Sequence, residues 1–137
     1  MITSNSFPYV QRDATFGEYS LLPYVPLQLA ANGFVEFETA LLDTGATVNV
    51  LPYEIGVNLG FEWSEQDTVL HLAGNLAPFE ARAVALTVTI DPFLPILMAF
   101  AWTSALKCPL IMGQTNFFQE YDVCFYRSQK TFTISRR

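Results

Sequence analysis

Between Ala40 and Thr47 the chain reads Ala-Leu-Leu-Asp-Thr-Gly-Ala-Thr: apolar residues run into a carboxylate, a hydroxyl and a glycine, then a small residue and a second hydroxyl. A carboxylate at the end of an apolar strand, on a turn that Gly45 permits, is placed to exchange protons with a bound molecule. Amide hydrolysis is the demanding form of that chemistry, because it needs both a nucleophile and a proton for the leaving amine. Two carboxylates about 3 Å apart supply both, since like charges that close cannot both ionise and so share one proton. The ionised group deprotonates a water, and its protonated partner polarises the carbonyl. The chain carries the Asp-Thr-Gly triplet once. Asp-x-Gly turns also occur in ordinary loops, so the triplet alone leaves open an aspartate that only shapes a turn.

The elements around the triplet read as strands and turns. Val25–Ala30 and Phe34–Ala40 flank Ala31-Asn32-Gly33, and Asn-Gly between alternating apolar runs predicts a hairpin. Its second arm delivers the chain into Leu41-Leu42-Asp43, with the two leucines burying the base of the loop. Val48–Leu51 returns as a strand, Pro52 opens a short helix over Tyr53–Leu59, and Gly60 stops it. A second hairpin is expected, with arms Thr68–Leu72 and Leu76–Glu80 around Gly74-Asn75. Strict alternation of Val84, Leu86, Val88 and Ile90 with small and polar residues predicts a half-buried strand. Leu110-Ile111-Met112-Gly113 reads as a buried strand ending at glycine. Gln114–Tyr121 follows as a short helix with Phe117, Phe118 and Tyr121 on its apolar face. Phe132 and Ile134 alternate with Thr131, Thr133 and Ser135 in the tail. One all-β domain spanning residues 1–137 is the expectation.

Composition narrows the function. The chain is 51% hydrophobic and 15% aromatic but only 15% charged, which suits a domain that covers further surface by self-association. A net charge of −6 argues against a nucleic-acid partner. The uncharged stretch from Pro92 to Leu106 is 15 residues and contains Pro95. That falls short of the roughly 20 apolar residues of a membrane helix, so a buried strand is expected and no membrane anchor. Met1–Ser6 lacks the basic and apolar regions of a signal peptide. Cys108 and Cys124 form no CxxC, which predicts two buried free thiols and a reducing, cytoplasmic setting. No metal site or cofactor motif is evident.

Three blocks between about Pro26 and Ile134 give the chain a resemblance to the retropepsin-like family of single-lobe, homodimeric aspartic peptidases, including its non-viral bacterial relatives. The first is Leu42–Thr47 continuing to Val50-Leu51-Pro52. The second is Leu110–Gly113, whose glycine follows Asp43 by 70 residues and whose strand looks like the one passing beneath the catalytic loop. The third is the hairpin at Gly74-Asn75, which resembles the flap that closes over a bound peptide. The resemblance implies a retropepsin-like acid-protease barrel with one short C-terminal helix and one lobe per chain. It also implies an aspartic endopeptidase acting on peptide or protein substrates, with no cofactor. Because the triplet occurs once, the site would be built by a homodimer, each chain giving one Asp43.

Under that resemblance the Thr44 hydroxyl bonds across the two-fold axis, and Gly45, Ala46 and Thr47 bind substrate with Gly74 and Asn75 of the flap. The terminal segments Phe7–Val10 and Phe132–Ile134 would contribute to an inter-chain sheet. His71, the only histidine, is either structural or turned toward substrate. The chain departs from the family where an Arg-Asp pair often follows the glycine, carrying Gln114-Thr115 instead. The alternative is a non-catalytic retropepsin-like module that dimerises or binds peptides. A phosphorylated-aspartate loop of the haloacid-dehalogenase type is set aside, because that chemistry needs an α/β fold and further acids for Mg²⁺.

Overall fold

A computed structural model describes residues 3–12 and 20–137. The strands are β1 (Ser4–Pro8), β2 (Val10–Gln11), β3 (Leu21–Leu22), β4 (Tyr24–Ala31), β5 (Phe34–Leu42), β6 (Val50–Leu51), β7 (Val69–Leu70), β8 (Ala81–Thr89), β9 (Ile96–Thr103), β10 (Ile111–Met112), β11 (Tyr121–Tyr126) and β12 (Thr131–Arg136). Among the described residues, two short α-helices, α1 (Tyr53–Asn58) and α2 (Phe117–Glu120), and 3₁₀ turns at Trp63–Glu65, Gly74–Leu76 and Arg127–Gln129 accompany them. The all-β expectation holds.

The Asn-Gly hairpin forms as read. β4 and β5 pair down to Ala31 and Phe34, and the two turn residues have φ of 52° at Asn32 and 82° at Gly33. Both values lie in the left-handed region that these two residue types tolerate. Six strands close into a barrel in the order β4-β5-β10-β6-β9-β8, with β8 pairing back to β4 through Leu29 and Val88. β7 adds to the outside of β8. The barrel fills with the inward residues of its long strands, among them Val25, Leu29, Leu86, Val88, Met98 and Phe100. Trp102 is fully buried beneath α1, donating from Nε1 to the Tyr53 carbonyl at 3.0 Å and stacking on the Tyr53 ring.

Several expectations need correction. The second hairpin has a shorter paired arm and a wider loop. β7 covers only Val69–Leu70, its partners are Arg82 and Ala81, and Gly74–Leu76 forms a turn of 3₁₀-helix. Successive local bonds, from Ala77 N to the Gly74 carbonyl and from Phe79 N to the Leu76 carbonyl, compete there with cross-strand pairing. Pro78 has no N–H to offer a ladder. The helix after Gly113 spans four residues, and Tyr121 already opens β11. Cys124 is exposed and Cys108 half-buried, because Cys124 shares the outward face of β11 with Asp122 while Tyr121 points inward. The terminal strands also pair within the chain, which leaves the expected inter-chain sheet neither supported nor opposed: β1-β12-β11 form a sheet in which the Phe7 and Phe132 rings stack at 5.4 Å. Val10 instead pairs with Leu22.

β10 governs where the carboxylate sits. It runs parallel to β5, matching Ile111 with Leu41 and Met112 with Leu42, and antiparallel to β6 through Ile111 and Val50. Gly113 then passes so near the 46–48 segment that a Cβ would stand 2.7 Å from the Ala46 carbonyl oxygen and nearer still to that of Val48. Both obstacles are backbone, so no rotamer change relieves them. Gly113→Ala is therefore expected to lower unfolding free energy by about 2–4 kcal/mol. A denaturant midpoint within error of wild type would show that the close approach is not required.

Candidate active site

Asp43 follows directly on β5, where ladder pairing ends and the chain turns outward. Below it the main chain is bonded on both sides of the turn. The Leu41 and Asp43 amides donate to the Leu110 and Met112 carbonyls at 2.8 and 3.0 Å. Past the turn, the Gln114 and Thr115 amides donate to the Ala46 and Thr47 carbonyls, each at 2.9 Å, and the Asn49 amide returns a bond to the Thr115 carbonyl at 2.8 Å. Within the turn, the Gly45 amide donates to Oδ1 of Asp43 at 2.9 Å and the Ala46 amide to the Asp43 carbonyl at 3.1 Å. The carboxylate is half-buried, with Leu42 buried behind it. One carboxylate oxygen is thus held by the turn, leaving the other for chemistry.

Two further side chains reinforce this arrangement, and the motif reading gave neither a role. Asn49 is fully buried. Its Oδ1 accepts from the Gly113 amide at 2.8 Å, and its Nδ2 donates to the Ala99 carbonyl at 3.0 Å, tying the loop to β9 and to the strand beneath it. A lone amide between Val48 and Val50 was the available signal, since a buried polar group there must find partners. Gln114 stands where the chain departs from the Arg-Asp pair of the resembled family. Its Nε2 donates to the Thr44 carbonyl at 2.8 Å, so this position still ties the turn to the segment below.

A cleft of about 500 Å³ opens over the carboxylate. Asp43, Gly45, Ala46, Thr47, Val48 and Val50 line it from below, with Ile111 beside them. Leu72 to Leu76, including Gly74 and Asn75, form the opposite side, and Lys107, Cys108 and Pro109 form an end wall. Four of the five residues of the Asp43–Thr47 loop and both turn residues of the second hairpin therefore meet around one space. Thr44 is exposed and lies outside this lining, as does the exposed His71. The Cys108 thiol donates to the Pro109 carbonyl, and burial raises its pKa, which keeps it protonated and a poor nucleophile. Among the described residues no group of three or more His, Cys, Asp and Glu could hold a metal ion. No helix of these residues is long and apolar enough to cross a membrane.

A second groove, of about 640 Å³, shares no residue with this cleft and is lined by Asn5, Phe7, Phe37, Glu38 and Asp91 among others. The Glu38 pKa is raised there by burial and by the neighbouring Glu36, with Arg12 opposing. The groove lacks the loop geometry that holds Asp43.

Neither a protein-family model nor a curated protein matches this sequence. Solved structures do. A retropepsin-like aspartic protease from Rickettsia conorii superposes with a TM-score of 0.66 at 14% identity, covering 99% of this chain and 94% of that one. EIAV protease, solved with an inhibitor, superposes with a TM-score of 0.50 at 20% identity over 68% of this chain and 82% of its own. The chain has the retropepsin-like fold.

Asn49 and Gln114 differ in what they stabilise. Asn49→Ala strands the buried Gly113 amide and is expected to cost about 2–4 kcal/mol. Gln114→Ala removes an exposed bond worth about 1 kcal/mol or less, yet should speed amide exchange across Thr44–Thr47. Denaturation and hydrogen exchange on both variants check this. Equal stability losses, or unchanged exchange in Gln114→Ala, would contradict the assignment.

Proposed function

We propose that this protein is an aspartic endopeptidase whose site is completed by a second copy of the same chain. The observation that carries the reading is the Asp43 carboxylate beneath a peptide-sized cleft, steadied by the Gly45 amide on a turn bonded from below. A single carboxylate cannot both activate water and protonate a leaving amine. The triplet occurs once per chain, so the second carboxylate must come from a partner.

In the assembled site the ionised Asp43 takes a proton from a water lying between the pair. The resulting nucleophile attacks the scissile carbonyl, which the protonated Asp43 of the other chain polarises. Collapse of the tetrahedral intermediate transfers a proton to the departing amine. Gly45, Ala46 and Thr47 would bind the extended substrate from below, with Gly74 and Asn75 closing over it. Thr44, exposed at the edge of the turn, would bond its counterpart across the two-fold axis. Among the described residues no strand pairs with the outer edges of β1 and β11, which would serve inter-chain strand pairing. Two free thiols, one of them exposed, suit a reducing, cytoplasmic setting.

Asp43→Asn keeps shape and hydrogen-bonding capacity but removes the charge that activates water. Cleavage of a diverse peptide library should fall about a thousandfold or more, with the fold and a light-scattering mass of two chains retained. Mixed with wild type under conditions of chain exchange, the variant should reduce activity as the square of the wild-type fraction. A linear dependence, or a compact monomer that remains active, would refute the two-chain site. Undiminished cleavage would move the chemistry away from Asp43.

The pH profile follows from Ala46. Two-lobe relatives often carry Ser or Thr here, whose hydroxyl can bond the catalytic carboxylate and favour its ionised form. Alanine cannot, so the optimum is expected to be weakly acidic, at roughly pH 4 to 6. Ala46→Ser should move the acid limb of the kcat profile to lower pH. A wild-type optimum near pH 2, or an acid limb unmoved in an intact Ala46→Ser dimer, would count against this account.

A further inference from the structure

The end wall of the cleft carries a charge that peptide hydrolysis does not require. Of the seven lysines and arginines in the chain, only Lys107 lines the cleft. Three of the others are committed elsewhere. Arg82 pairs with Glu80 and lies over Trp63, Arg136 faces Glu120, and Arg12 reaches the Thr39 hydroxyl and the Tyr24 ring. Lys107 pairs with no carboxylate among the described residues. It is exposed, on a segment where Cys108 and Pro109 also face the cleft. Lys107 thus places a positive charge in a cleft whose other charged lining residue is Asp43, in a protein whose net charge is −6.

Beside the polar Asp43, Thr47 and Asn75, much of the remaining lining is apolar. Val50, Leu72, Leu76, Pro109 and Ile111 give the cleft hydrophobic walls suited to an aliphatic or aromatic side chain. An extended peptide places alternate side chains on one face, so a residue one or two positions away can reach a neighbouring wall. The lysine stem is long and flexible, and its ammonium acts as a point charge that accepts a carboxylate from several directions.

We infer that Lys107 selects substrates bearing an aspartate or glutamate side chain within a few residues of an apolar residue at the cleavage point. The inference rests on the peptide-cleaving reading above and names the substrate class of that same site. A partly exposed pair of this kind is worth a modest factor, about threefold to tenfold in kcat/KM, and weakens with added salt.

The test uses matched peptides with Glu, Gln or Lys placed in turn at each position within three residues of the scissile bond. Wild type should prefer Glu at one position by about threefold to tenfold, and the preference should shrink at high salt. Lys107→Met should bring the Glu/Gln ratio to about one, and Lys107→Glu should turn the preference toward Lys at that position. Affinities of the same peptides for uncleaving Asp43→Asn protein, with and without Lys107→Met, separate the two readings. Charge-selective binding that depends on Lys107 without any cleavage by wild type sustains the inference and removes the peptidase reading. Cleavage with a Glu/Gln ratio of one at every position does the reverse. A preference that survives Lys107→Met, or no binding of either peptide, overturns the inference.

Discussion

The segment from Leu110 to Thr115 sets the geometry on which the rest depends. In six residues it accepts hydrogen bonds from the strand entering the carboxylate turn and donates them to the strand leaving it, while Asn49 bonds back to it from the side. The turn is thereby bonded at both ends to the same piece of chain. That is possible only because Gly113 brings backbone within reach of backbone. A carboxylate at the end of a strand would otherwise sample many positions, and acid–base chemistry tolerates little misplacement. Because these bonds are almost all main chain to main chain, they constrain few side chains. A superposition over nearly the whole chain at 14% identity is what such a scaffold permits.

Floor and roof of the cleft are built to different standards. The floor belongs to a closed barrel with a buried core and the interlocked segments beneath Asp43. The opposite side hangs from β7, which is two residues long, and is shaped by local 3₁₀ bonds between Gly74 and Phe79. Few buried contacts and few long-range bonds are the physical mark of a region that opens at low free-energy cost. Under the proposed function a peptide would enter beneath this side, and the difference in anchoring agrees with that use.

Position 114 shows how one side chain ties the carboxylate turn to the segment below it. The sequence departs here from the Arg-Asp pair that often follows the glycine in the resembled family, and the Gln114 side-chain amide bonds the Thr44 carbonyl. A neutral donor positions the turn without adding charge next to the Asp43 carboxylate. An arginine would bring a fixed positive charge and further donors to share among neighbours. The one cation that does reach the cleft, Lys107, comes from the end wall and faces the space a ligand would fill.

By itself the sequence determined the local features of this protein. The Asn-Gly hairpin, the short helix ended before Gly60, the alternating strand through Val88 and the carboxylate turn all follow from residue types within a few positions of one another, where backbone preference and side-chain period act directly. It also held, by resemblance, the expectation that Gly74 and Asn75 meet the Asp43 loop. Tertiary structure decided what depends on distant partners. It wound Gly74–Leu76 into a 3₁₀ turn, turned Cys124 outward, and folded the two termini into one sheet within the chain. It made Asn49 a buried hub and placed Lys107 at the end of the cleft. Such outcomes turn on which strands become neighbours, and hydrogen bonds and charge contacts between residues dozens of positions apart leave no periodic trace in the chain.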